Sequence, residues 1–149
     1  MGIERASEIL ITALTMTLVI LSRLFAGSDV KTINTVQLHS MIVDNAYEIE
    51  GGRKQRFIVI DARTRKEYVA DHIFSAISIP ERDFEKLLRL LPEEKTVLLV
   101  VYGNVKGEES GKWAAKASVA GYMNVIIYTD GFLIWKKNKM PVASLNNGI

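Results

Sequence analysis

From Thr32 onward, short unbroken apolar runs alternate with segments whose apolar residues recur every three to four positions. Phe57-Ile58-Val59-Ile60 and Val97-Leu98-Leu99-Val100-Val101-Tyr102 are continuous runs, the pattern of strands covered on both faces. Ala76-Ile77-Ser78-Ile79, stopped by Pro80, and Val125-Ile126-Ile127-Tyr128 predict two more strands. Helices are expected between them. Asn34 or Thr35 can cap the first, which carries Leu38, Met41, Ile42 and Ile49 towards an end near Gly51-Gly52. A short helix follows over 66–70, and Asp83 opens another with Phe84, Leu87, Leu88 and Leu91, ended by Pro92. The next runs from Ser110, read as its cap, to Ala120. Ala114, Ala117 and Ala120 allow it to approach a sheet closely, Lys112 and Lys116 are expected in water, and Gly121 stops it. A last short helix holds Phe132 and Trp135. This order predicts an α/β fold of three layers, a central mostly parallel sheet flanked by helices, in one domain. The most apolar run, 97–102, belongs at the sheet centre. Any ligand crevice is expected at the carboxyl ends of the strands, after Ile60, Tyr102 and Tyr128.

The first segment departs from this pattern. Ile9 to Leu21 is thirteen residues without a charge, between Glu8 and Arg23. A spanning helix needs about 20 apolar residues and a signal-peptide core about 7–15. The length and the small residues Ala26-Gly27-Ser28 predict that residues 1–28 are a signal peptide. If Leu24 to Gly27 extends the run and Arg23 snorkels, residues 9–27 form an N-terminal membrane anchor instead. Either way the protein is exported or membrane-anchored. The competing reading makes this segment a helix of the soluble fold, because Glu8, Thr12, Thr15 and Ser22 lie roughly on one stripe; the protein is then cytoplasmic. Arg5 and Arg23 flank the run on both sides and leave the orientation open.

Composition narrows the chemistry. Nineteen Lys and Arg against 17 Asp and Glu leave a net charge of +2, not the concentrated basic face that nucleic acid requires, so no nucleic-acid partner is expected. There is no cysteine, which excludes thiolate nucleophiles, disulfides and cysteine-ligated metals within the chain. Only His39 and His72 remain as imidazoles, little material for a metal centre, and His39 has no partner at ligand spacing, so neither a metal nor a cofactor is expected. Trp113 and Trp135 are read as packing residues, and Lys136, Lys137 and Lys139 as a solvated basic helix end.

The stretch Asp61-Ala62-Arg63-Thr64-Arg65-Lys66-Glu67-Tyr68-Val69-Ala70-Asp71-His72-Ile73-Phe74-Ser75-Ala76 resembles the D-x-R-x-x-x-E-[FY]-x-x-G-H-I-x-G-A motif of rhodanese-like domains. Gly121-Tyr122-Met123-Asn124-Val125 is similar to that family's G-Y-x-N-V. Asp130-Gly131-Phe132-Leu133-Ile134-Trp135 and Met140-Pro141-Val142 resemble its closing G-G-F-x-x-W and L-P-V. The resemblance covers about residues 32–142, leaves 143–149 as a C-terminal tail, and implies a parallel sheet flanked by helices. Asp71 and Ser75 stand where the first motif has glycines, and Asp130 replaces the first glycine of the last.

The resemblance implies a catalytic cysteine directly after the strand that ends Val100-Val101-Tyr102, and this chain has Gly103 there. The family reaction takes sulfane sulfur onto that thiolate as a persulfide, held by loop N–H groups at a helix N-terminus. The loop Gly103-Asn104-Val105-Lys106-Gly107-Glu108-Glu109-Ser110 cannot do this, and it is about one residue longer than the usual sulfurtransferase loop. Glu108 and Glu109 exclude external anions, or place a carboxylate in the cradle, or face solvent and complement the helix dipole. The resemblance makes Asp61, Arg63, Glu67 and His72 mainly structural. The expectation is a catalytically inactive rhodanese-like domain that binds an unknown protein or a small anion at the degenerate loop. The alternatives are an enzyme using Ser110, His72 or the two glutamates, and a structural or oligomerising protein.

Overall fold

The computed structural model describes residues 30–49, 51–105 and 107–145. The expected leader or anchor at 1–28, Lys106, and residues 146–149 of the tail lie outside the described residues. No helix among the described residues is long and apolar enough to cross a membrane.

From Lys31 onward the chain forms one compact unit. Its elements are β1 (Lys31–Ile33), α1 (Thr35–Asp44), β2 (Tyr47–Ile49), β3 (Arg53–Gln55), β4 (Phe57–Asp61), α2 (Arg65–Ala70), β5 (His72–Ile73) and β6 (Ile77–Ser78). The 3-10 turns Glu81–Asp83 and Leu88–Leu90 flank α3 (Phe84–Leu87). After them come β7 (Leu98–Tyr102), α4 (Glu108–Val119), β8 (Asn124–Tyr128), α5 (Gly131–Lys137) and β9 (Val142–Ala143).

The main sheet has the order β1-β8-β7-β4-β6 with every neighbouring pair parallel, so β7 lies in the middle as its composition predicts. All five of its residues are buried. Its side chains alternate between two cores. Leu98, Val100 and Tyr102 pack with Leu38 and Met41 of α1 and Phe132 and Trp135 of α5. Leu99 and Val101 point the other way, onto Trp113, Ala114 and Ala117 of α4 and Phe84 of α3. This period-two alternation inside an unbroken apolar run is what a doubly covered parallel strand requires. At about 1.5–3 kcal/mol for each large side chain removed from water, the two cores dominate the stabilising side of folding. Trp113 stands edge-on to Phe84, and Trp135 donates its indole N–H to the Pro141 carbonyl, so both tryptophans are packing residues.

Three local expectations are corrected. α1 ends at Asp44, with Asn45 in the left-handed region, rather than near Gly51. Tyr47–Ile49 and Arg53–Gln55 instead pair antiparallel, and Gly51 (φ 87) and Gly52 (φ 73) form their turn. The helical period is broken at Asn45, whose left-handed backbone (φ 49) turns the chain out of α1 before Ile49 is reached. Ser110 does not cap α4: the helix begins two residues earlier, and Gly107 is the cap, at φ 75 and with no side-chain hydrogen bond. Lys116 is also not simply in water, since it is paired with Glu81 at 3.0 Å and Glu85 at 3.5 Å.

Candidate functional site

The carboxyl ends of β4 and β7 and the first turns of α2, α4 and α5 converge on the loop after Tyr102. Asp61, the last residue of β4, is fully buried, and four donors hold its carboxylate. These are Arg63 N at 2.9 Å, Arg63 Nε at 3.1 Å, Arg63 Nη2 at 2.7 Å and Tyr102 Oη at 2.6 Å. A buried charge without such partners would cost several kcal/mol, so this saturation is what permits Asp61 inside the fold. Arg63 is equally buried; its Nη2 also donates to the Asp71 carbonyl, and its guanidinium lies 3.7 Å from the centre of the Phe132 ring. Burial opposes the Arg63 charge, but the hydrogen bond and charge of Asp61 outweigh it and raise its pKa above the ordinary value. The Tyr102 phenol is pushed well above the ordinary tyrosine value, first by burial and then by the Asp61 charge. Its oxygen accepts from Ile73 N at 3.1 Å, so Tyr102 links the central strand to the segment after α2.

α2 opens with a capping box between Thr64 and Glu67, whose side chains are hydrogen-bonded to each other. The other Glu67 oxygen accepts from Asn104 Nδ2 at 2.6 Å, tying α2 to the loop. Burial alone would raise the Glu67 pKa, but the hydrogen bonds from Thr64 and Asn104 prevail and lower it. His72 stacks on Tyr68 at 3.8 Å, and its Nδ1 lies 2.8 Å from the Tyr68 carbonyl.

α5 holds the loop from below. Phe132 N donates to the Gly103 carbonyl at 2.8 Å and Leu133 N to the Asn104 carbonyl at 3.3 Å. The close approach depends on Gly131, which is at φ 75. A Cβ there would overlap the Asn104 carbonyl oxygen and meet its carbon at 2.8 Å. Asp130, in the position of a family glycine, accepts from Thr35 N at 2.8 Å and Thr35 Oγ1 at 2.7 Å. It therefore anchors the start of α1. Tyr128, bonded to Thr35 at 2.8 Å, has a phenol pushed up to about 12, mainly by burial.

The loop itself is occupied by the chain. The Glu109 carboxylate accepts a hydrogen bond from Asn104 N at 2.8 Å. A side chain built on Gly103 would overlap Glu109 Oε2 and meet its Cβ at 3.1 Å and Cδ at 3.3 Å. The space a nucleophile would fill at the end of the central strand is thus taken by a carboxylate. Glu108 behaves differently: its side chain is 80% exposed and pairs with Lys112 at 3.1 Å. Ser110 is fully buried and its hydroxyl has no hydrogen-bond partner, so it is not activated by His72. A Ser110–His72 nucleophile pair is absent among the described residues. So is any cluster of three or more His, Asp or Glu that could hold a metal ion.

Of the residues singled out in the sequence, Asp61, Arg63, Glu67, Asn104, Gly103 and Glu109 come together, whereas His72, Glu108 and Val105 do not join the loop interior. Tyr102 is the participant that sequence reasoning read only as the end of a strand, although a phenol closing an otherwise aliphatic run has a polar tip that needs a partner. Gly131 and Phe132 entered as members of the closing motif, without a role at the loop.

Comparison with known proteins gives the family and the fold. The profile of the family described as the rhodanese-like domain matches residues 40–138. An uncharacterized protein of Buchnera aphidicola subsp. Schizaphis graminum is 24% identical over 111 residues, 74% of each chain. The rhodanese-like domain of the Alr3790 protein from Anabaena sp. superposes with a TM-score of 0.63 at 21% identity, over 79% of this chain and 83% of that one. A thiosulfate sulfurtransferase from Pseudomonas aeruginosa gives 0.61 at 14% identity, covering 77% of this chain and 20% of that one. At these identities the structural likenesses speak for the fold.

Proposed function

Since the chain belongs to the rhodanese-like domain family and has Gly103 where the resemblance places a cysteine, we propose that it is a catalytically inactive member acting as a binding or regulatory module. One observation carries the reading: the position of the nucleophile is filled by the Glu109 carboxylate rather than by a reactive group. Sulfur transfer through this loop needs a thiolate, and neither glycine nor carboxylate can form and release a persulfide. What remains is a rigid cradle. Asp61, Arg63 and Tyr102 set the strand end, Glu67 clamps Asn104, and α5 fixes the loop carbonyls.

The test is turnover. Thiocyanate formation from thiosulfate and cyanide by the full-length protein is expected to equal that of a heat-treated control, and any excess overturns the reading. For the amino-terminal segment we propose export or membrane anchoring. Truncation before Asp29 then leaves a soluble, folded domain; an unfolded or aggregated product would assign residues 1–28 to the fold or to an interface.

A further inference from the structure

We propose that the outer edge of β4 at residues 57–59 is a docking site for an extended segment of a partner protein, apolar at alternate positions and acidic at its flanks, which adds to the sheet as a strand. This surface lies at the opposite end of β4 from the degenerate loop, so the inference goes beyond the reading of that loop and does not depend on it.

The edge is open because β6 is short. Its register with β4 consists of Ile60↔Ile77 and Asp61↔Ser78, whereas β7 pairs with all five residues of β4. The Asp61 carbonyl accepts from Ile79 N on the β6 side, and Ala62 N donates to the Tyr102 carbonyl on the β7 side. Main-chain groups alternate sides along a parallel strand, so Phe57 and Val59, in step with Asp61, direct theirs outward. A bond from Val59 N to the Ser75 carbonyl would extend the register to Val59↔Ala76, and the register stops short of it. Ser75 lies in the left-handed region, at φ 71, and turns the chain away. The Val59 N–H and both main-chain groups of Phe57 therefore face no strand among the described residues.

These groups border a groove of about 350 Å³ whose lining includes Ile42 of α1, Phe57, Val59 and Phe74, and Phe74 remains 58% exposed. Main-chain donors and acceptors at two-residue spacing beside apolar side chains are matched by an extended backbone, not by a helix or a lipid. The charge preference comes from Arg56, directly before Phe57, which is exposed and pairs with no acidic residue among the described residues. An acidic residue flanking the incoming segment complements it. The edge of a second copy would bring another Arg56 and its own α1 and Phe74 against the same groove, so a free-standing segment fits better.

The probe is the peptide acetyl-Asp-Val-Thr-Val-Thr-Val-Asp-amide, titrated into the full-length protein while backbone amides are followed by NMR and hydrogen exchange. Saturable binding with Kd below about 1 mM is expected. The Phe57 and Val59 amides are expected to exchange at least about tenfold more slowly in the complex. Phe74→Glu and Arg56→Glu alter exposed side chains and are expected to weaken binding at least about fivefold, whereas Val119→Glu, on the far end of α4, leaves it unchanged. A peptide with proline at the central valine is expected not to bind. Absence of saturable binding, equal binding of the proline peptide, or indifference to Phe74→Glu overturns the proposal. So does protection of Phe57 and Val59 in the free protein with no response to the probe, which would give the edge to this chain itself. Thiocyanate formation by the wild type would defeat the inactive reading without bearing on these affinities, so the two failures are distinguishable.

Discussion

Restoring the nucleophile exposes the part played by Glu109. Gly103 is not in the left-handed region, so its backbone accepts a cysteine, but the new side chain collides with the end of a flexible glutamate. In Gly103→Cys the carboxylate must shift, giving up its bond to Asn104 N, and it remains within about 4 Å of the sulfur. Two unit charges at that separation repel by roughly 4 kcal/mol at an effective dielectric of about 20. That corresponds to about 3 pH units, which partial solvent exposure reduces by about half. The α4 N-terminus offsets about 0.5 unit. The thiol is therefore expected to titrate above the ordinary cysteine value of about 8.5, and Gly103→Cys alone is expected to transfer sulfur weakly at most. Adding Glu109→Gln should lower that pKa by at least about 1 unit, whereas adding Glu108→Gln should leave it unchanged, because Glu108 faces solvent and pairs with Lys112. The rate of iodoacetamide labelling against pH reads this directly, since the chain has no other cysteine to confuse the signal. An unchanged thiol pKa on removing Glu109, or an equal response to Glu108→Gln, refutes the argument.

Ser75 occupies a family glycine position at φ 71, so Ser75→Gly is expected to stabilise the fold by about 0.5–1 kcal/mol in urea denaturation. Tyr102→Phe removes a donor from buried Asp61 and an acceptor from Ile73 N. A loss of about 2–4 kcal/mol is expected, and a loss below 1 kcal/mol would mean the phenol is not needed there. The folded-state pKa of Glu67 is lowered, so its contribution to stability is present above its unfolded value near 4.5 and disappears as pH falls through the folded value. Glu67→Gln is expected to flatten the acid limb of the stability curve there, as followed by urea midpoints between about pH 3 and 6.

The layered fold was legible along the chain because its elements are specified locally. An unbroken run as short as Leu98–Tyr102, bounded by turn residues, reads as a doubly covered strand, and Ala114 and Ala117 leave room for close packing on the sheet. Motif residues such as Asp61, Arg63 and Glu67 were legible for the same reason, being bound to neighbours two and three residues away. The missing thiol is likewise a property of sequence alone. The start of α4 and the end of α1 were misplaced, because Gly107 and Asn45 work through left-handed backbone geometry that side-chain periodicity does not record. The opposite fates of Glu108 and Glu109 were closed to sequence reasoning. Adjacent residues on a helix project about 100° apart, and which one meets Gly103 depends on where the helix begins and how α5 holds the loop carbonyls. The union of Asp61 with Tyr102, 41 positions apart, rests on the register of two parallel strands, which is set by the packing of both cores and by nothing local to either residue.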